Sequence, residues 1–306
     1  MCGIVGLLLK KREKRRDLGR LMTPMFTCMA ERGPDSGGMA IFGQPVADGS
    51  RRFSLFTADR GYDWQGLLES FRQTFQGEAG DGKAASARIE PLSNHAVLVS
   101  SVEPSRLRGW LEDSVPSVHL LSVGRAIDLY KDMGFPNEIA ERYRFAELTG
   151  SHCVGHTRMA TESEVTPIHA HPFTAGEDFC LVHNGSLSNP YMLRRMLESQ
   201  GIAFETDNDT EAACRFIEWR LAQADALDTA LHHAFRKLDG FYTLLMATPD
   251  QITLVRDPFA CKPAVVAETD EYVAISSEFR SLAHLPGIAE AHIFEPQPEK
   301  VYSWKV

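Results

Sequence analysis

The residue with the most distinctive chemical potential in this chain is Cys2. In Met1-Cys2-Gly3-Ile4-Val5-Gly6 the small second residue favours removal of Met1, which would leave a thiol and a free amine on one α-carbon. A free α-amine ionises at about 7.7–8.0 and a cysteine thiol at about 8.5, so near neutral pH the amine can take the thiol proton, directly or through one water. The competing reading is a packing cysteine near a frayed end. Three further places carry chemistry. Cys153-Val154-Gly155-His156-Thr157-Arg158 reads as a strand delivering an arginine, whose planar fork matches a carboxylate, with Thr161 able to add a hydroxyl donor; a structural salt bridge would use the same arginine. Phe179-Cys180-Leu181-Val182-His183-Asn184-Gly185 reads as a strand running into a turn, where a side-chain amide and the next N–H can hold an oxyanion. The same dipeptide is also a hairpin signal. Thr206-Asp207-Asn208-Asp209-Thr210-Glu211 opens a helical pattern, and acids there serve as caps, yet one carboxylate beyond that need would hold an ammonium group.

Weaker signals lie nearby. Arg32 and Asp35, in the turn-rich Glu31-Arg32-Gly33-Pro34-Asp35-Ser36-Gly37-Gly38, can pair and brace a loop. His169 and His171 share a face of an extended segment, but two imidazoles without a third ligand make a poor metal site, and no metal is expected. The six cysteines are scattered, with neither zinc nor iron–sulfur spacing, which favours reduced thiols.

The elements that must position these groups are partly legible. Ile4 to Leu9 reads as a buried strand holding the N-terminus rigid. The basic run Lys10-Lys11-Arg12-Glu13-Lys14-Arg15-Arg16 precedes apolar residues at 18, 21, 22, 25, 26 and 29, one face of an amphipathic helix. Cations at its start oppose the macrodipole. The run reads as a solvated helix end, with a docking patch for an acidic partner as the alternative. Residues 51–57 and 95–101 look like strands, and 67–75, 104–111 and 136–148 like helices. The glycine-rich 77–86 looks like a flexible loop. Asn189 and Pro190 open a helix, and another covers 212–221. From Gly240 the pattern switches to antiparallel strands at 241–247, 252–256, 263–267 and 272–276, with a closing helix over 278–285.

A chain of 306 residues has room for one large domain or two modest ones. The formal net charge of -9 argues against nucleic acid as the main partner. No apolar run approaches the roughly 18 residues of a membrane span, and the N-terminus lacks the basic and small-residue features of a signal peptide, so a cytoplasmic protein is expected.

A thiol with its own base and an oxyanion pair suit acyl transfer from an amide, while an arginine and an acid match the two charged ends of an α-amino acid. Glutamine carries all of these features. At this point Cys2-Gly3-Ile4-Val5-Gly6, Arg32-Gly33-x-Asp35-Ser36, Gly155-His156-Thr157-Arg158-x-Ala160-Thr161, His183-Asn184-Gly185 and Asp209-Thr210-Glu211 together resemble the class II glutamine amidotransferases, members of the N-terminal-nucleophile hydrolases. Arg256-Asp257-Pro258 with Lys262-Pro263, and Ser276-Ser277-Glu278, extend the likeness. The resemblance implies an α+β fold, a four-layer αββα sandwich over residues 1–306, with 44–150 as a long insertion before the arginine motif. It implies Cys2 as nucleophile, Asn184 and Gly185 as oxyanion donors, Arg158 with Thr161 for the substrate carboxylate, Asp209 for its amine, and Arg32 and Asp35 in support. Glu162 departs from members that place a histidine after the threonine.

The insertion and the 161–173 stretch are most similar to stand-alone glutaminase subunits of glutamate synthase and N-methylglutamate synthase systems. That likeness implies ammonia passed to a synthase partner, with no cofactor on this chain and flavin or iron–sulfur centres on the partner. Two other readings stay open here: an amidase acting on another γ-glutamyl amide, and a silent glutamine-sensing subunit.

Overall fold

A computed structural model describes residues 2–76, 87–159 and 164–306. The expected loop over 77–86, and Thr161, lie outside the described residues. The first strand, β1 (Gly3–Leu9), is buried along its whole length. Val5, Leu7 and Leu9 enter one apolar core while Ile4 and Leu8 enter another. A strand covered on both faces needs apolar residues at every position, which is why its sequence does not alternate.

β1 pairs antiparallel with β8 (His152–Arg158) and β14 (Tyr272–Ser276). They sit in a seven-stranded sheet ordered β15-β13-β14-β1-β8-β2-β7, completed by β2 (Ser36–Phe42), β7 (Ile127–Met133), β13 (Val265–Glu268) and β15 (His292–Phe294). A five-stranded sheet faces it, ordered β16-β12-β11-β10-β9: β9 (Phe173–Thr174), β10 (Cys180–Leu187), β11 (Gly240–Thr248), β12 (Gln251–Arg256) and β16 (Tyr302–Lys305). Ile4, Leu8, Val154, Cys180, Val182 and Leu245 fill the space between the sheets. Outside the first sheet lie α1 (Leu18–Thr27) and α4 (Pro136–Arg142), packed through Met22, Met25, Phe26 and Ile139. Outside the second lie α5 (Pro190–Glu198), α6 (Asp209–Ala222) and α7 (Leu227–Phe235), packed through Leu197, Phe216, Ile217 and Leu231. Helix, sheet, sheet and helix give the four layers anticipated from the motifs.

The stretch 44–150 is not one inserted unit. Its first part builds a separate four-stranded sheet, β4-β5-β3-β6, from β3 (Arg51–Thr57), β4 (Arg88–Leu92), β5 (His95–Ser100) and β6 (Val118–Gly124). It is covered by α2 (Trp64–Thr74) and α3 (Pro104–Ser114) over a core that includes Phe53, Phe71 and Trp110. Its second part rejoins the main sandwich, because β7 pairs with β2 from Ser36 opposite Met133 to Phe42 opposite Ile127. The Asp178 carboxylate ties the two parts, accepting from the backbone N–H groups of Arg125, Ala126 and Ile127 at 2.7, 2.9 and 3.0 Å.

Other local expectations are corrected. The basic run forms its own 3₁₀ turn, Arg12–Asp17, so Asp17 rather than a cation stands at the N-cap of α1. The helix expected over 136–148 stops at Arg142, and Arg144 adopts a left-handed φ of 46° before a 3₁₀ turn at Phe145–Glu147. The closing helix is short, α8 (Phe279–Leu282). Asn189 makes no side-chain cap; its amide donates to Lys237 O at 2.8 Å and its carbonyl accepts from Asp239 N at 3.2 Å. Among the described residues no helix is long and apolar enough to cross a membrane.

Candidate active site

Strand alternation selects what meets between the sheets. On β1 the even-numbered Ile4 and Leu8 face the inter-sheet core, on β8 Val154 does, and on β10 Cys180 and Val182 do. A period of two therefore carries Cys2, Arg158 and Asn184 to the same interior space. A cavity of about 320 Å³ opens there, lined by residues that include Cys2, Arg158, His183, Gly185 and Asp209. A larger hollow of about 810 Å³, between the extra sheet and residues 164–169, is lined by none of Cys2, Arg158, Asn184 or Asp209, so the candidate chemistry sits in the smaller one.

Cys2 is clamped through its backbone. Arg32 Nε donates to Cys2 O at 2.6 Å, and the same guanidinium pairs with Glu278 at 2.8 Å. Glu278 thus braces Arg32. Ser277 fixes the next residues, accepting from Ile4 N on its hydroxyl and donating its own N–H to Ile4 O, both at 2.9 Å. Cys2 Sγ lies 3.8 Å from Met159 O. Burial pushes the thiol above its ordinary pKa, while Met159 O, the positive N-terminus, Arg158 and Arg32 pull against that rise.

Arg158 ends β8 and is buried. Its guanidinium donates to Glu164 O at 3.0 Å, and its backbone carbonyl accepts from Asp35 N at 3.0 Å. Burial draws its pKa below the ordinary value, opposed by Cys2, Asp35, Asp207 and Asp209. Gly33 makes the close approach possible: a Cβ there would stand 2.4 Å from the backbone of Thr157. This gives the Arg32-Gly33 pair a steric reason.

The Asn184-Gly185 turn expected from the sequence is not a turn. β10 runs through both residues to Leu187, with Asn184 opposite Thr243 and Gly185 opposite Tyr242. Gly185 has φ +149°, and a Cβ would fall 1.8 Å from Phe241 O, so only glycine lets the strand continue. Asn184 is 4% exposed and its Nδ2 is buried without a hydrogen-bond partner. Buried amide donors are ordinarily satisfied, so an orphan beside a cavity is a donor awaiting an acceptor.

Asp209 occupies the first turn of α6. Capping falls to Asn208, whose side chain accepts from Thr210 N at 2.9 Å, and Glu211 is occupied with Thr206 and Arg215. Asp209 is therefore the surplus carboxylate. Leu187 N donates to its Oδ2 at 2.9 Å and the Thr210 hydroxyl to its Oδ1 at 3.2 Å. Burial pushes its pKa up, but His183 and the donors Leu187 N and Thr210 outweigh that and hold it at about 2.

A buried histidine cluster was not legible in the sequence. The Thr210 hydroxyl lies 2.8 Å from His171 Nε2 and 2.9 Å from His183 Nδ1. A hydroxyl donates once and accepts twice; having donated to Asp209, it satisfies both contacts only if each imidazole donates to it. His156 Nε2 lies 2.9 Å from His183 O, which fixes its proton there, and its ring is tilted by 34° against that of His171 with centroids 4.1 Å apart. Burial lowers the pKa of His156 to about 3 and that of His171 well below the ordinary value. Thr210→Val should leave two buried imidazole donors unpaired and cost about 1–3 kcal/mol for each, with Thr210→Ser restoring most of it; thermal unfolding of both variants checks this.

His169, considered with His171 as a metal pair, is held instead by Thr166 Oγ1 at 2.6 Å and Asp207 at 3.0 Å. Among the described residues no group of three or more His, Cys, Asp or Glu side chains could hold a metal ion.

Comparison with known proteins places the chain among relatives described as glutamine amidotransferases. Residues 156–284 match a family model described as a glutamine amidotransferase domain. The chain is 44% identical over 305 residues to the glutamine amidotransferase-like protein GlxB of Rhizobium meliloti, covering 99% of this chain and 98% of that one. It is 32% identical over 310 residues to a putative glutamine amidotransferase of Methanothermobacter thermautotrophicus, covering 99% of each. Among solved structures, glutamine phosphoribosylpyrophosphate amidotransferase from B. subtilis superposes with a TM-score of 0.60 at 16% identity, over 99% of this chain and 49% of that one; at that identity the likeness is one of fold.

Proposed function

The chain belongs to the class II glutamine amidotransferases, enzymes of the N-terminal-nucleophile fold, and from that premise we propose that it hydrolyses the side-chain amide of L-glutamine and hands the ammonia to a synthase partner. The observation that carries the reading is the single 320 Å³ cavity on which Cys2, Arg158, Gly185 and Asp209 converge, with Asn184, whose buried Nδ2 has no partner, lying in sequence between the lining residues His183 and Gly185.

In this reading Met1 is removed and the free α-amine of Cys2 takes the thiol proton as sulfur attacks the carboxamide carbon. The developing oxyanion receives the Asn184 Nδ2–H and the Gly185 N–H. The C–N bond breaks as the amine returns its proton to the departing nitrogen, which leaves as ammonia. Water then attacks the γ-glutamyl thioester, giving glutamate and the free thiol. Arg158, with Thr161, receives the α-carboxylate and Asp209 the α-ammonium, so the two charged ends hold the amide at the sulfur.

Asp209→Asn should raise KM for glutamine about 10²-fold with a much smaller change in kcat, because a buried charge partner is lost at a distance from the reacting bond. Steady-state kinetics of ammonia release checks this. The pH profile above about 4 should owe nothing to Asp209. Its carboxyl is depressed to about 2, so its stabilising contribution is complete above the ordinary carboxylate pKa and is lost only as pH falls through about 2.

The proposed partner resembles the synthase subunits of glutamate synthase and N-methylglutamate synthase systems, with any flavin or iron–sulfur centre on the partner and a reducing, cytoplasmic setting that keeps the thiol free. The test is ammonia and glutamate release from L-glutamine by the purified chain after mass spectrometry has established loss of Met1. A processed chain that binds glutamine without releasing ammonia would refute the proposed hydrolysis.

A further inference from the structure

The catalytic reading leaves the basic run after β1 without a role. It lies at the opposite end of β1 from Cys2, about 26 Å away at the usual rise of a strand. Its lysines are neutralised within the chain: Lys10 pairs with Glu268 at 2.7 Å, and Lys11 and Lys14 reach Glu271 at 3.2 and 3.8 Å. Its arginines are treated differently. Among the described residues Arg12, Arg15 and Arg16 make no ion pair, and all three line one cleft of about 440 Å³ with Gln44, Thr149 and Gly150. Arg15 is fixed there by its backbone, whose carbonyl accepts from Gly150 N at 3.1 Å, and its Nε is buried without a partner.

Three cations sharing one concavity repel one another, and this happens in a chain of net charge -9 in which Glu268 and Glu271 already serve the lysines of the run. Arginine, unlike lysine, presents a planar fork matched to two oxygens of a phosphate or carboxylate. The cleft volume lies within the range of small-molecule sites, about 300–1,000 Å³. We propose that the cleft of Arg12, Arg15 and Arg16 binds a small multivalent oxyanion, carrying two or more phosphate or carboxylate groups. It is a second ligand site, remote from the thiol, and it does not depend on the identity of the amide substrate.

Calorimetric titration of the full chain at physiological salt with pyrophosphate, tripolyphosphate and citrate, against orthophosphate as a monovalent-group reference, tests the site and separates phosphate from carboxylate ligands. At least one multivalent anion should bind ten or more times tighter than orthophosphate and raise the unfolding temperature. Arg12→Gln with Arg16→Gln, both exposed side chains, should weaken binding at least tenfold, and Arg15→Lys should do so while keeping the charge. Ammonia release from glutamine should be unchanged in these variants. The proposal is overturned if no multivalent anion outcompetes orthophosphate or if the variants bind as well as the parent.

Discussion

Cys2→Ala is expected to abolish ammonia release from glutamine, a loss on the order of 10⁶ in kcat, while glutamine still binds and the fold survives. The separation follows from how the residue is held. What anchors the N-terminal segment is backbone: Arg32 on Cys2 O, and Ser277 on both polar groups of Ile4. Alanine keeps every one of these contacts, so the change in stability should stay within about 1 kcal/mol. Binding rests on Arg158 and Asp209, which the substitution leaves in place, so the glutamine Kd should change by no more than about threefold. The parent enzyme should also show a pH signature. Burial holds the Cys2 sulfur as a thiol near neutrality, so turnover depends on a base, and the only base on the same residue is the α-amine freed by Met1 removal. Activity should rise with pH as that amine loses its proton, at about 7.7–8.0, and level off above it. A chain retaining Met1 should be inactive across the range, and a Cys2→Ala variant with residual turnover above a few per cent would remove Cys2 from the role of nucleophile.

Why this site was so legible in the sequence, and its surroundings were not, has a physical explanation. Cys2, Arg158, Asn184 and Asp209 each carry a reactive or charged group beside a local signal, a strand end or a helix start, and those signals survive in one dimension. The four layers were legible only through the family likeness those motifs carry; the apolar runs of β1, β10 and β11 mark strands without saying how they stack. What could not be read depends on contacts between distant segments. Thr210 looks like one more polar residue at a helix start, and its meaning comes from His171 and His183, 39 and 27 residues earlier. Glu278 was visible only as part of a motif, because its partner Arg32 lies 246 residues away. The strand through Asn184-Gly185 defeated the turn reading because pairing with β11 outweighs a local propensity when the glycine removes the steric objection. The stretch 44–150 gave no boundary since part of it, β7, belongs to the sheet that precedes it in sequence.

Asn184→Ala should lower kcat by about 10²–10³, equivalent to about 2.7–4 kcal/mol, with KM changed by no more than a few-fold. The asymmetry comes from when the contact is made. In the resting protein Nδ2 is buried with no acceptor, and nothing in the ground state of a planar carboxamide compels it to find one. The bond becomes strong only as the carbonyl oxygen takes on negative charge, so its loss is felt in the transition state and hardly in binding. A second measurement distinguishes this from a packing role. A buried unsatisfied donor costs about 1–3 kcal/mol, so deleting it should offset much of the small cavity left behind, and the unfolding temperature of Asn184→Ala should stay close to that of the parent. Asn184→Asp, of nearly the same shape, replaces the donor with a carboxylate facing the developing oxyanion, and should be slower still. If Asn184→Ala instead loses stability and raises KM in step with its fall in kcat, the side chain is packing the sheet interface, and oxyanion stabilisation must rest on the Gly185 N–H alone.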